Sequence, residues 1–153
     1  MSYWDRKLIR EQLDKKLTQV KPLAFLSTEN GWIKIIREAL GMSTKQLGQK
    51  VGIDQSRISR LENAEIEGDL KLSSLKKIAE GLNMRFVYFF VPEEGLEQMV
   101  YNQANAIAKK RLNKVNQTMR LEDQELSEKD KANALEDLTQ RILIDEPKDF
   151  WDQ

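Results

Sequence analysis

Apolar residues recur at helical spacing along most of the chain. From Trp4 to Val20 they fall three or four positions apart, and Ser2 and Asp5 form a capping box in front of them. Pro22 ends the stretch. The pattern predicts an N-terminal helix followed by a loop that reaches residue 30.

Four shorter amphipathic segments follow between residues 31 and 83. The apolar stripe of the first segment consists of Trp32, Ile35, Ile36 and Leu40, and Gly41 closes it. The second begins with a capping box of Ser43 and Gln46, and the third has Asp54 at its N-cap. The fourth spans residues 72–82. We expect a compact unit of four to five helices. Trp32 and the N-terminal Trp4 are both expected to lie in the core of the protein.

Residues 84–91 (MRFVYFFV) have a different pattern, because aromatic and β-branched residues occupy both alternating sets of positions. This composition predicts a short strand that is apolar on both faces. A lone strand cannot satisfy its own backbone groups, and no second strand is apparent in the chain. We therefore predict a homodimer in which two copies pair through this strand, with Phe86, Tyr88 and Phe90 as the dimerisation residues.

Helical spacing returns over residues 93–118. A break is predicted at 120–126, and a capping box of Ser127 and Asp130 opens a last helix that Pro147 ends. The predicted fold is mostly α. Its segments are an N-terminal helix and loop (1–30), a helical domain (31–83), a dimerisation strand (84–92) and a C-terminal helical extension with an acidic arm (93–153).

The composition narrows the possible functions. Among 153 residues there is no cysteine and no histidine, so the commonest general base and the usual transition-metal ligands are missing. We predict no enzymatic activity, no cofactor and no metal site. No apolar run approaches the ~20 residues of a membrane span, and no secretory h-region is apparent, which favours a cytoplasmic, nucleoid-associated protein.

The net charge is zero, but its distribution is uneven. Residues 120–153 carry five basic and eleven acidic residues, a net charge of −6, so the rest of the chain is mildly basic. Nucleic acid could bind the basic part, and a basic partner could bind the acidic arm.

Residues 43–63 (STKQLGQKVGIDQSRISRLEN) have the layout of two short helices joined by a glycine turn. Gly48 allows the two helices to approach closely, and Gly52 tolerates a positive φ angle in the turn. Ile53, Ile58 and Leu61 supply the inward apolar positions. The outward face of the second helix carries Gln55, Ser56, Arg57, Ser59 and Arg60, which suits the edges and phosphates of a DNA major groove.

Residues 31–82 resemble the lambda-repressor/Cro-like (XRE) helix-turn-helix family, whose R-L-E-N string is matched from Arg60 to Asn63. The resemblance implies a structural ion pair between Arg37 and Glu62. It also implies a phosphate contact at Thr44 and base contacts at Gln55, Ser56 and Arg60. We interpret Lys45, Lys50 and Arg57 as further phosphate contacts. The Asp54 carboxylate is expected to turn towards its own helix amides.

A second resemblance extends over nearly the whole chain. GWIKIIREALGMS, YFFVP and TMRLEDQ are similar to the family called mobile mystery protein A. That family implies a Fic-domain partner, mobile mystery protein B, in a toxin–antitoxin-like pair. The S/T-x-x-x-E-G/N motif that inhibits some Fic enzymes is not matched, because Glu62 follows Ser59 by only three positions.

Two functional hypotheses therefore remain. The first is a dimeric, sequence-specific transcriptional regulator, an autorepressor that binds operator DNA. The alternative is a protein-binding module that neutralises a partner enzyme without specific DNA binding. Phe150 and Trp151 could dock to such a partner or pack back on the protein's own helices. A basic cluster of Lys109, Lys110, Arg111 and Lys114 could contact flanking DNA or be a solvated helix face.

Overall fold

The computed structural model describes residues 1–26, 28–121 and 127–152, apart from the side chains of residues 120 and 121. The regular structure of this part of the chain is helical, which confirms the mostly α prediction. The helices are α1 (Tyr3–Val20), α2 (Trp32–Ala39), α3 (Thr44–Val51), α4 (Gln55–Glu67), α5 (Leu72–Gly81), α6 (Leu96–Leu121) and α7 (Glu128–Asp145), with a 3-10 helix at Lys21–Phe25. Most of the predicted break at 120–126 lies outside the described residues.

The chain divides into two compact units. The middle unit comprises Leu23–Phe89 and contains α2 to α5. The terminal unit combines Met1–Pro22 with Phe90–Gln153 and contains α1, α6 and α7. The N-terminal helix therefore belongs to the same unit as the C-terminal helices, although the sequence analysis treated the two ends as separate segments.

The core of the middle unit is formed by one apolar face from each of its helices and from the turn after α3. Its buried members are Ile33, Leu47, Ile53, Ile58, Ile78 and Leu82. The predicted stripe of α2 is partly wrong, because Ile33 is buried whereas Trp32 is 48% exposed and Leu40 is 52% exposed. The backbone amides of Trp32 and Ile33 both donate to the Glu65 carboxylate on α4, at 2.8 and 2.9 Å, and this bond fixes the rotation of α2.

The terminal unit is built on small residues of α6. Ala104 and Ala108 are fully buried, so that α7 can approach closely with Ile142 and Leu143. Trp4 lies on the outside of α1 and is 64% exposed, so its predicted core position is wrong. The neighbouring Tyr3 packs against the core instead.

Polar contacts attach α1 to α6. Arg10 forms an ion pair with Glu97, and the Asp14 carboxylate accepts from the backbone amides of Leu96 and Glu97 at 2.7 and 3.2 Å. Asp14 therefore satisfies amides at the start of α6, which have no partner within their own helix.

The predicted helix starts are confirmed at three positions. Ser2 and Ser43 form complete capping boxes with Asp5 and Gln46. The Ser127 hydroxyl accepts from the Asp130 amide at 3.2 Å. The hydrogen bond from Ser2 lowers the pKa of the Asp5 carboxyl.

The predicted strand at 84–91 is not found. Residues 84–92 have no regular secondary structure, and none of the backbone hydrogen bonds of the described residues involves a peptide group of residues 85–91. A strand requires a neighbouring strand to receive its N–H and C=O groups, and the described part of this single chain offers none. The predicted strand, which was expected to pair with a second copy of the chain, is therefore not confirmed in the single chain.

Candidate nucleic-acid interface

The turn between α3 and α4 is shaped by two glycines. Gly52 has φ +79°, and its amide and that of Ile53 both donate to the Gly48 carbonyl at 2.8 Å. A Cβ atom at Gly48 would lie only 2.4 Å from the Ile53 carbonyl oxygen. The close approach predicted for Gly48 and the positive φ predicted for Gly52 are both confirmed.

The beginning of α3 is fixed by its capping box. The Gln46 amide donates to the Ser43 hydroxyl at 3.1 Å, and the Gln46 side chain accepts from the Ser43 amide at 2.8 Å. Thr44 occupies the first helical position and is half-buried, whereas Lys45 is exposed. The amides of Thr44 and Lys45 have no hydrogen-bond partner among the described residues, and such amides at a helix N-terminus attract anions.

The outer face of α4 is polar and exposed. It carries the five predicted residues Gln55, Ser56, Arg57, Ser59 and Arg60. Neither Arg57 nor Arg60 has an ion-pair partner within the described ranges, and the same is true of the exposed Lys45 and Lys50. The face thus presents uncompensated positive charge beside amide and hydroxyl groups.

Ser59 differs from the other members of this face. Its hydroxyl donates to the Gln55 carbonyl at 3.4 Å, one turn earlier in α4. The hydroxyl of Ser56 has no such bond among the described residues. Ser59 is therefore the member whose polar atom is already engaged by its own helix.

A buried ion pair on the inner side of α4 stabilises the motif. The Arg37 Nε donates to Glu62 Oε1 at 2.6 Å, and Arg37 Nη2 donates to Glu62 Oε2 at 3.3 Å. Arg37 Nη1 also donates to the Met42 carbonyl at 2.8 Å. The hydrogen bond that the Arg37 guanidinium donates to the Glu62 carboxylate raises the pKa of Arg37. Since Glu62 is only 6% exposed, the structural role that the resemblance implied for the pair is confirmed.

Asp54 departs from its predicted role. It occupies the N-cap position of α4, but its side chain makes no capping hydrogen bond and is exposed. The tight contact between Gly48 and the Ile53 carbonyl, rather than a side-chain cap, fixes the start of α4.

Two supporting residues were missed by the sequence analysis. Glu65 caps α2, and Gly81 lets α5 approach α3, because a Cβ atom there would lie 2.7 Å from Val51 Cγ2. Gly31 precedes α2 and has no side chain to cap it. This feature of the sequence indicated that another residue must supply the cap.

The predicted dimerisation residues lie on an exposed apolar segment. The Phe86 and Tyr88 rings stack at 5.9 Å, and Phe90 is 86% exposed. In the middle unit, Phe86, Val87 and Phe89 line a groove of about 530 Å³ together with apolar residues of α2 and α5.

Two short helices crossing at a glycine turn, with a polar outer face on the second and a buried ion pair behind it, define the helix-turn-helix class. Residues 33–89 match the model of the family described as Helix-turn-helix. The match supports the resemblance of this part of the chain to the lambda-repressor/Cro-like (XRE) family, and it supports a DNA-binding transcription regulator. Domains of this kind are typically non-enzymatic.

The other comparisons found nothing that bears on function. Neither the curated proteins nor the solved structures gave a significant match to the chain. The whole-chain resemblance to the mobile mystery protein A family is not confirmed by these comparisons.

Two further properties concern only the part of the chain that the structure describes. None of its helices combines the length and the apolar character needed to cross a membrane. No cluster of three or more acidic side chains in it could hold a metal ion.

Proposed function

We propose that the protein is a dimeric, sequence-specific DNA-binding regulator that acts on operator DNA near its own gene. The observation that carries this proposal is the outer face of α4, where Arg57 and Arg60 are exposed and have no ion-pair partner among the described residues. A helix that presents such a face can lie in the major groove.

The residues of the interface other than Ser59 each have a proposed role. Gln55, Ser56 and Arg60 contact base edges, since Gln can bond adenine and Arg can bond guanine with two hydrogen bonds each. Thr44 and the amides beside it bind a phosphate at the start of α3. Contacts to the phosphates, which orient the protein without selecting a sequence, come from Lys45, Lys50 and Arg57.

The dimer is proposed to form through residues 85–91. Seven consecutive peptide groups without backbone partners, carrying exposed apolar side chains, support pairing with the same segment of a second copy. In this proposal Phe86, Tyr88 and Phe90 lie at the dimer interface. Two domains held in this way can bind two half-sites about 34 Å apart on one face of DNA.

DNA binding is tested by fluorescence anisotropy with a duplex from upstream of the gene and with a shuffled duplex of the same composition. We expect the upstream duplex to bind at least about a thousandfold more tightly, with an affinity that falls as salt rises. Equal affinity for both duplexes would contradict sequence-specific regulation.

The role beside a Fic-domain protein is a further part of the proposal, and it rests on the family resemblance. The net charge of −6 in residues 120–153 supports a basic protein partner for that arm. Phe150 does not support a docking peptide, because it is buried in the terminal unit. Trp151 is exposed and stays available.

The partner hypothesis is tested by co-expressing the chain with a Fic-domain protein encoded beside it. We expect the two proteins to co-purify, and we expect Arg60→Ala to leave this association intact. If the unmodified chain co-purifies with the Fic-domain protein but shows no specific DNA binding, the result would favour the alternative, a protein-binding module that neutralises an enzyme. As a regulator the protein would act in the cytoplasm, on the nucleoid.

A further inference from the structure

A cavity of about 550 Å³ lies within the terminal unit and has no part in the proposed DNA binding. Residues of α1, residue Val100 of α6 and the chain that follows α7 form its walls. It is partly open to solvent, and its volume falls in the range of sites that bind small organic molecules.

Much of the wall is apolar and aromatic. Phe150 is 6% exposed, and its carbonyl accepts from the Gln103 side-chain amide at 2.7 Å, so its position is well fixed. Trp151 packs edge-to-face against the Phe150 ring at 5.0 Å but is itself 63% exposed. Together with Ile9 and Val100, these rings offer an apolar surface to a flat molecule.

The charged residues of the wall are mostly basic. Arg6, Arg10 and Lys148 line the cavity, and Glu146 is the acidic residue among the lining side chains. Arg6 pairs with Glu146, and Arg10 pairs with Glu97. The Lys148 ammonium has no ion-pair partner in the described part of the chain, so one positive charge beside the cavity is uncompensated.

The backbone at Glu146 is unusual. This residue has φ +39° and ψ +72°, a left-handed conformation that is uncommon for any residue other than glycine. The bond from its amide to the Ile142 carbonyl at 3.0 Å and the ion pair with Arg6 hold it there. The left-handed residue ends α7, and the residues after it, Lys148 and Phe150, line the cavity beside α1. Strained backbone of this kind is concentrated at binding sites.

We propose that this cavity binds a small organic carboxylate with a flat apolar body. The carboxylate would accept hydrogen bonds from the Lys148 ammonium and from the Arg6 guanidinium, whose five N–H donors exceed the needs of Glu146. The apolar body would lie against Phe150 and Trp151. This inference does not depend on DNA binding.

The test uses 4-phenylbutyrate as the probe and the full chain, followed by two-dimensional amide NMR. The Trp151 indole signal is assigned with a Trp151→Phe variant. We expect the Trp151 signal and the Lys148 amide to shift, with a dissociation constant of about 1 mM for a ligand of this size. The neutral analogue 4-phenyl-1-butanol should bind about tenfold more weakly.

The matched variants are Lys148→Ala and Lys109→Ala, which remove exposed lysines at the cavity and elsewhere on the same unit. We expect Lys148→Ala to weaken probe binding about fivefold and Lys109→Ala to leave it unchanged. The proposal is overturned if Trp151 does not shift up to about 10 mM probe. It is equally overturned if the alcohol binds as well as the acid, or if both variants behave alike.

Discussion

The outer face of α4 and the segment 85–91 are both exposed, but they differ in whether their backbone groups are hydrogen-bonded. The α4 face belongs to a helix whose backbone is hydrogen-bonded and whose buried side carries Ile58 and Glu62, so the helix is complete without a partner. The segment 85–91 has apolar side chains in solvent and no backbone hydrogen bonds among the described residues. The first surface is therefore suited to reversible binding of a polar ligand, and the second to permanent burial.

The proposed DNA binding and the proposed dimerisation therefore depend on different features of the sequence. The α4 face depends on precise local geometry at Gly48 and Gly52, whereas the 85–91 segment depends on composition and an outside partner.

The largest loss is expected from Gly48→Val. A side chain there must displace the Ile53 carbonyl, which even a single Cβ would approach to 2.4 Å. We expect the free energy of unfolding of the domain to fall by about 3 kcal/mol and specific DNA binding to disappear. Chemical denaturation and anisotropy measure the two effects.

The matched control for that substitution is Gly52→Ala. No atom lies within 4 Å of a Cβ at Gly52, so the only cost is the positive φ angle, about 1 kcal/mol. If Gly48→Val and Gly52→Ala destabilise the domain equally, close helix approach is not what shapes the motif.

The segment 85–91 can be tested by placing a charge in it. Phe90→Asp places a charge in the proposed dimer interface, and since Phe90 is 86% exposed the single chain loses almost no packing. We expect sedimentation to report a monomer and the affinity for a two-half-site duplex to fall about a hundredfold. Phe25→Asp serves as the control, because Phe25 is equally exposed at 86% but lies outside the segment. A monomeric Phe25→Asp variant, or a dimeric Phe90→Asp variant, would contradict the proposed interface.

Arg60→Ala on α4 and Lys45→Ala on α3 should weaken DNA binding in different ways. Loss of Arg60 removes a base contact and should cost about 1–3 kcal/mol of discrimination against the wrong base pair. Loss of Lys45 should weaken binding to all duplexes and reduce the slope of log affinity against log salt by about 1. Affinities measured at several salt concentrations separate the effects of the two substitutions. If Arg60→Ala leaves the sequence preference unchanged, Arg60 does not contact a base.

The smallest effect is expected from Ser59→Ala. Its hydroxyl already donates to the Gln55 carbonyl, so we expect less than about a twofold change in affinity. Ser56→Ala, which removes an unengaged hydroxyl on the same face, should have the greater effect. The opposite order would show that Ser59 exchanges its helix bond for one to DNA.

Local sequence signals predicted much of the fold. The capping boxes at Ser2 and Ser43 and the glycine turn at Gly52 each act within a few residues, so their geometry follows from short-range chemistry. The Arg37–Glu62 pair was predictable because the family resemblance joined two distant positions.

Contacts between distant positions were not predictable in the same way. Glu65 caps α2 from 32 residues away, and Arg10 pairs with Glu97 across 87 residues, with no local pattern to indicate either. Trp32 was misplaced because helical spacing gives a stripe but not its rotation, which the Glu65 cap decides. The strand predicted at 84–91 is not confirmed in the single chain for a related reason, since apolar alternation describes side chains and not the partner that a strand's backbone requires.

Hydroxyl-radical footprinting of the full chain on its upstream duplex tests whether the protein binds DNA as a dimer with one α4 helix in each of two major grooves. If two copies joined through 85–91 insert their α4 helices into successive major grooves, two protected patches should appear on one face of the DNA, about 10 base pairs apart. Phe90→Asp should reduce the pattern to a single weak patch. A single patch for the unmodified protein, or protection that does not depend on the sequence, would contradict the account.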